Sequence, residues 1–167
     1  MVVTPVALGL SILGVAAAAT PRIALQQHRP RDPSCLVYTN RRYGFTFCLP
    51  RSWAGFRVDT SQWDGRVLDT DTAGPPQVLH GPELFIRHPL WTAADPRQDI
   101  PIMIFTHAEW RLIEREALAV SAAPVGPSEL GRNTSYVFAL PPRHNFTMLT
   151  GWEEVRDILD HHPLHPL

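Results

Sequence analysis

The sequence contains no lysine, so every one of its 15 basic side chains is an arginine. That absence removes Schiff-base chemistry, the phosphate-binding lysine of a P-loop and any Ser-Lys dyad. It also marks a composition biased toward arginine, so no single arginine is by itself a functional signal. Net charge is equally scarce: 15 basic against 16 acidic residues leave a formal charge of -1. Such a balance offers no electrostatic footprint for nucleic acid or for an anionic membrane surface. Cysteine is limited to Cys35 and Cys48, too few for a structural zinc site, which takes four ligands. There is no G-x-S-x-G and no H-E-x-x-H, and no residue set asks for a cofactor.

What is present begins with an apolar stretch. The first 20 residues carry no charged side chain, and residues 6–19 end in the small residues Ala16 to Ala19. Small residues after an apolar run are what a signal peptidase accepts, which predicts a signal peptide over 1–19. Arg22, Arg29 and Arg31 follow the run instead of preceding it, the flanking charge of an uncleaved N-terminal anchor. Both readings place the chain outside the cytoplasm, secreted, periplasmic or membrane-anchored; a disordered start to a cytosolic chain is the remaining alternative. Residues 20–34, rich in Pro, Arg and Gln, read as a linker, and 35–167 as one domain.

The domain opens with Cys35-Leu-Val-Tyr-Thr39, a turn-like Asn40-Arg-Arg-Tyr-Gly44 and Phe45-Thr-Phe-Cys-Leu49, a hairpin pattern. With Arg41 and Arg42 as a two-residue turn, Cys35 falls opposite Cys48, which suits a disulfide in an exported chain. A strand is expected from 55–59, then loop over 60–76 with a short strand at 66–68. A turn at Gly81-Pro82 precedes a strand at 83–87, and residues 88–98 form a loop punctuated by proline. Residues 100–105 make an unbroken apolar run, the expected central strand, with Pro101 at its start. Thr106-His-Ala-Glu109 is a capping box opening a helix to about Ala119, with Trp110, Ile113 and Ala117 inward. Ser128 reads as a local helix cap, and residues 135–140 as a strand. Thr150-Gly-Trp-Glu153 repeats the capping-box pattern ahead of a last helix with Trp152, Val155 and Ile158 inward, stopped by Pro163. The tail holding His161, His162 and His165 reads as frayed. Together these elements predict an α+β fold, a mainly antiparallel sheet with helices packed on it.

Tyr38-Thr-Asn40 followed by Tyr43-Gly-Phe45-x-Phe47-x-Leu49-Pro50-x-x-Trp53 resembles the opening hairpin of PsbP/Mog1-like domains. That resemblance implies a sandwich of helices on an antiparallel sheet, in domains that act as accessory and binding modules. Gly81-Pro-Glu-Leu-Phe-Ile-Arg-His-Pro-Leu-Trp91, Pro96-Arg-Gln-Asp-Ile-Pro-Ile-Met-Ile-Phe105, and Leu130-Gly-Arg-Asn133 with Tyr136-Val-Phe-Ala-Leu-Pro141 are similar to a family of exported bacterial proteins. That family brings no assigned activity and no site residues to carry over.

Candidate chemistry concentrates around Arg87, His88, Trp91, Arg97, Gln98 and Asp99. As a binding loop, Arg87 and Arg97 would clamp a carboxylate or phosphate while Trp91 stacks on the ligand. As a structural loop, Asp99 pairs with Arg87 or Arg97 and Trp91 packs across its base. As a small hydrolase, His88 would act as base, oriented by Asp99, with Arg87 or Arg97 stabilising charge. Glu129, Arg132, Asn133, Arg143 and His144 flank one strand and lie too far apart for a single site. His80, His88, His107 and His144 show no metal-ligand spacing, and neighbouring Glu153 and Glu154 point to different helix faces. The preferred function is a non-catalytic binding or accessory module for a partner protein or small anionic ligand. An enzyme and a structural envelope protein are the alternatives.

Overall fold

The computed structural model describes residues 35–68 and 77–167; the expected leader (1–19) and linker (20–34) lie outside the described residues. The chain begins with strands β1 (Leu36–Asn40) and β2 (Phe45–Leu49). Their turn is built by Asn40, whose Oδ1 accepts the Tyr43 N–H at 3.0 Å, and by Gly44 at φ 73°. Asn40 pairs with Phe45, so four residues intervene and not two, and Cys48 faces Val37. The expected register was therefore wrong. Cys35, just ahead of β1, still reaches Cys48 across the diagonal, with their Cα atoms 5.5 Å apart, and the disulfide forms.

After a 3-10 turn that buries Trp53 (Arg51–Trp53), the chain enters a long antiparallel ribbon. Its strands are β3 (Arg57–Val67) and β4 (Val78–Arg87), in unbroken register from Arg57↔Arg87 to Arg66↔Val78. Residues 60–67 of the loop expected over 60–76 are thus strand, residues 69–76 lie outside the described residues, and Gly81-Pro82 lies inside β4. The reason is Trp63, which sits opposite Gly81 and donates its indole N–H to the Ile104 carbonyl at 2.9 Å. A Cβ at Gly81 would stand 2.3 Å from the Trp63 ring, so glycine serves close packing and not a turn. Pro82 lies just beyond residues 83–86, the segment of β4 that pairs with the next strand.

That strand, β5 (Ile100–Thr106), is central as expected. Thr106 and Glu109 close the capping box of α1 (His107–Glu114). The helix ends earlier than expected because Glu116 turns to φ 57°, and β6 (Leu118–Ala119) then pairs with the end of β3. Ser128 begins a strand and caps no helix: β7 (Ser128–Arg132) pairs with β8 (Tyr136–Leu140). The second capping box does not form. Gly151, at φ 87°, is the N-cap of α2 (Trp152–Asp160) and makes no side-chain cap bond. Thr150 instead bridges to the segment before β5, accepting the Gln98 N–H at 2.9 Å. The tail is ordered into β9 (Leu164–Pro166), which pairs with β2.

Among the described residues two sheets result, β1-β2-β9 and β6-β3-β4-β5-β8-β7, mainly antiparallel with two helices: an α+β fold. Strand alternation divides the apolar residues between two cores. Leu84, Ile86, Ile100, Ile102, Ile104 and Phe138 face Phe45, Phe47, Leu49 and the α2 residues Val155 and Ile158. Met103, Phe105, Val137 and Ala139 face Trp63 and, from α1, Trp110. Each large side chain so buried contributes roughly 1.5–3 kcal/mol. The larger sheet therefore has two chemically distinct faces, and the candidate sites divide between them. Cys35 and Cys48 in a bonded state point to an oxidising, extracytoplasmic environment.

Candidate functional site

Arg57, Asp59 and Ser61 share the face of the ribbon that carries Trp63, as do Arg87, Phe85 and Glu83 opposite them. Arg87 lies at the end of β4, where the proline-punctuated loop leaves the sheet and returns at Asp99. Its Nε donates to Asp59, and its Nη1 donates to Asp99 Oδ2 at 2.6 Å. Trp91 closes the top, with the Arg87 guanidinium 4.1 Å and the Arg57 guanidinium 5.2 Å from its ring centre. One arginine thus joins two aspartates under an indole that Arg57 also approaches, and Arg87 keeps little capacity for a ligand. Burial pushes the Asp99 carboxyl above its usual range, while Arg87 pulls it back.

His88 is buried, edge-on to Trp53 with ring centres 5.1 Å apart. Its Nδ1 accepts the Leu90 N–H at 3.1 Å. A histidine oriented by an aspartate donates its Nδ1 proton to that carboxylate; here Nδ1 is an acceptor and Asp99 bonds Arg87. Burial, then the nearby Arg97 charge, hold His88 below its usual value. Arg97 itself lies over Gly151, its Nη2 3.4 Å from where a Cβ would stand, and its buried Nε lacks a partner. Gln98 is buried, donating to the carbonyls of Asp99 and His144. The structure therefore brings Arg87, Trp91 and Asp99 together, and sets His88 and Arg97 apart from them.

The side chains of the second cluster make local contacts. Arg132 pairs with Glu129, its Nε 2.7 Å from Oε1. Asn133 donates to the carbonyls of Tyr43 and Gly44 and accepts from the amides of Ser135 and Tyr136, each at 2.9 Å. Its side chain ties the first hairpin to the turn before β8. Among the described residues no three His, Cys, Asp or Glu side chains gather as metal ligands, and no helix is long and apolar enough to cross a membrane.

Sequence reasoning missed a groove on the opposite face of the ribbon. It has a volume of about 590 Å³, and none of Arg87, His88, Trp91, Arg97 and Asp99 lines it. Its floor follows from register: Leu84 points into the core beneath β2, so Thr60 opposite it, and by alternation Gln62 and Pro82, share that side. Its wall is the first hairpin, with Tyr38, Asn40, Arg42 and Tyr43. Burial raises the Tyr38 hydroxyl, which accepts from Asn40 Nδ2 at 2.8 Å. At the open end His80 Nδ1 lies 2.6 Å from Asp64 Oδ1, and that contact lowers the Asp64 carboxyl. Glu83 also borders the groove, but it alternates with Leu84 and directs its side chain to the Met103 face. The signal available in the sequence was the alternation Val58, Thr60, Gln62, Asp64, one polar stripe of a strand.

Comparison with protein-family models, with curated proteins and with solved structures finds no match for this chain.

Proposed function

We propose that this protein is exported behind its apolar leader and acts as a non-catalytic binding module whose ligand lies in the groove between the first hairpin and the β3–β4 ribbon. Its sheet-and-helix build is the kind that the PsbP/Mog1-like resemblance of the opening hairpin implies, and kinship with such accessory domains is part of the proposal. The observation that carries it is the groove itself: about 590 Å³, with tyrosine, amide and hydroxyl side chains along it. That is the size and mixed lining of a ligand site. The loop at Arg87 supports the choice by contrast, since Arg87 is spent on Asp59 and Asp99. The hydrolase alternative has little support, because His88 uses its Nδ1 on a backbone amide.

Amide NMR of the full chain, screened with small carboxylates, amino-acid derivatives and short peptides, tests the reading. Ligands should shift the resonances of Tyr38, Asn40, Thr60 and Gln62, and Thr60→Trp, which fills the groove, should abolish the shifts. Shifts confined to residues around Arg87 and Trp91 would move the site to the other face.

A further inference from the structure

We infer that an extended peptide bearing a carboxylate adds as a strand to the free edge of β3 and directs alternate side chains into the groove. The inference rests on the groove as the binding site and names its occupant. β3 is 11 residues long, and its outer neighbour β6 takes up only Arg66 and Val67. Over residues 57–65 the outward backbone groups have no partner among the described residues. In an antiparallel strand every second residue turns both its N–H and its C=O outward, so such a stretch is a template for another strand.

Natural sheets guard their edges with short strands, bulges or proline. Three of the other four edges among the described residues are guarded so. β6 has two residues; β7 has five, with a register shift between Glu129 and Gly131. β9 has three, ending in Pro166; β1 has neither proline nor bulge and is open, but with five residues it is less than half as long as β3. β3 has neither proline nor bulge, and it borders the groove through Val58, Thr60, Ser61 and Gln62. Residues 58–62 offer roughly 16 Å of edge, enough for a peptide of about five residues.

Charge selects the peptide. Asp59 is committed to Arg87 and Asp64 to His80, and Glu83 points to the far face. Arg42 lies against Tyr43, its guanidinium 5.2 Å from the ring centre, without an ion-pair partner among the described residues. Among the described residues lining the groove, Arg42 is therefore an uncompensated cation, which an acidic side chain or a C-terminal carboxylate neutralises.

The test pans a phage-displayed random heptapeptide library against the oxidised full chain, then uses the best synthetic peptide as the probe. The expected result has three parts. Amide hydrogen exchange over residues 57–64 slows on binding. N-methylation of alternate peptide amides abolishes binding while methylation of the intervening ones does not. Arg42→Glu weakens binding by about tenfold or more, as loss of one charge-assisted contact requires. A peptide that shifts groove residues but tolerates every N-methylation, with β3 exchange unchanged, overturns strand addition and leaves the groove standing. Binding that survives Thr60→Trp overturns the groove as well. A free protein that is already a dimer with β3 protected, or a library that yields no binder, also overturns the inference.

Discussion

Arg87→Ala is the substitution whose consequences the structure specifies most fully. It removes a guanidinium that joins Asp59 to Asp99 and lies 4.1 Å from the Trp91 ring centre. The Asp59 side chain is 47% exposed and its pairing is discounted for solvent, but Asp99 is only 17% exposed. Asp99 Oδ1 already lacks a partner, so the variant leaves a largely buried carboxylate with no hydrogen bond and only the weaker pull of Arg57. Adding a lost cation–π contact of about 0.5–1 kcal/mol, the expected cost is about 2–4 kcal/mol at pH ~7. Burial already holds Asp99 above its ordinary value against the pull of Arg87, and without Arg87 it rises further. A carboxyl raised on folding binds more protons in the folded state than in the unfolded one. Its favourable contribution is therefore present below the ordinary aspartate value and is lost as pH rises through the raised one. The deficit should be largest near pH ~7 and shrink on acidification toward pH ~4. Urea unfolding followed by tryptophan fluorescence at both pH values measures it, with Arg87→Lys as the charge-retaining control. A deficit below ~0.5 kcal/mol, or one independent of pH, would refute the reasoning.

Three further outcomes follow from contacts elsewhere. Reducing Cys35–Cys48, whose sequence separation is 13, should cost roughly 3 kcal/mol by denaturant titration; two free thiols in non-reduced native protein would contradict the pairing. Gly81→Ala drives a methyl to within 2.3 Å of Trp63 and should cost about 1–3 kcal/mol. Adding Trp63→Phe should restore part of that loss, and strict additivity in thermal melts would count against the contact. Asn133→Ala leaves the Tyr43 and Gly44 carbonyls and the Ser135 and Tyr136 amides without their partner, for about 2–3 kcal/mol. A change within ~0.5 kcal/mol would mean water replaces it.

Elements whose signals are local were legible in the sequence. The hairpin around Asn40 and Gly44, the apolar run of β5 and the cap at Thr106 each declare themselves within a few residues. β3 does not, because Thr60, Ser61, Gln62 and Asp64 are polar on both faces. The ribbon there projects past β5, which pairs with β4 only over residues 83–86, so neither face is a full core and alternation fades. Gly81-Pro82 mimics a turn because both residues break strands in most settings; only the Trp63 ring explains the glycine. The early end of α1 depends on β6 finding β3, a contact between segments distant in sequence. The same distinction governs the sites. Arg87 and Asp99 bracket one loop, and their pairing was expected. The groove is assembled from β1, the first turn, β3 and β4, and a linear reading cannot bring those segments together.

The central claim is that ligand binds the groove face and not the loop face. It is tested most directly by titrating one ligand, the peptide selected by panning, into the full chain, Thr60→Trp and Arg97→Ala in parallel, with amide NMR as readout. Arg97 lies outside the groove lining, so its variant should bind as the parent does. The account predicts shifts centred on Tyr38, Asn40, Thr60 and Gln62, lost in a folded Thr60→Trp and kept in Arg97→Ala. Shifts centred on Arg87, His88 and Trp91, kept in Thr60→Trp and lost in Arg97→Ala, would contradict it.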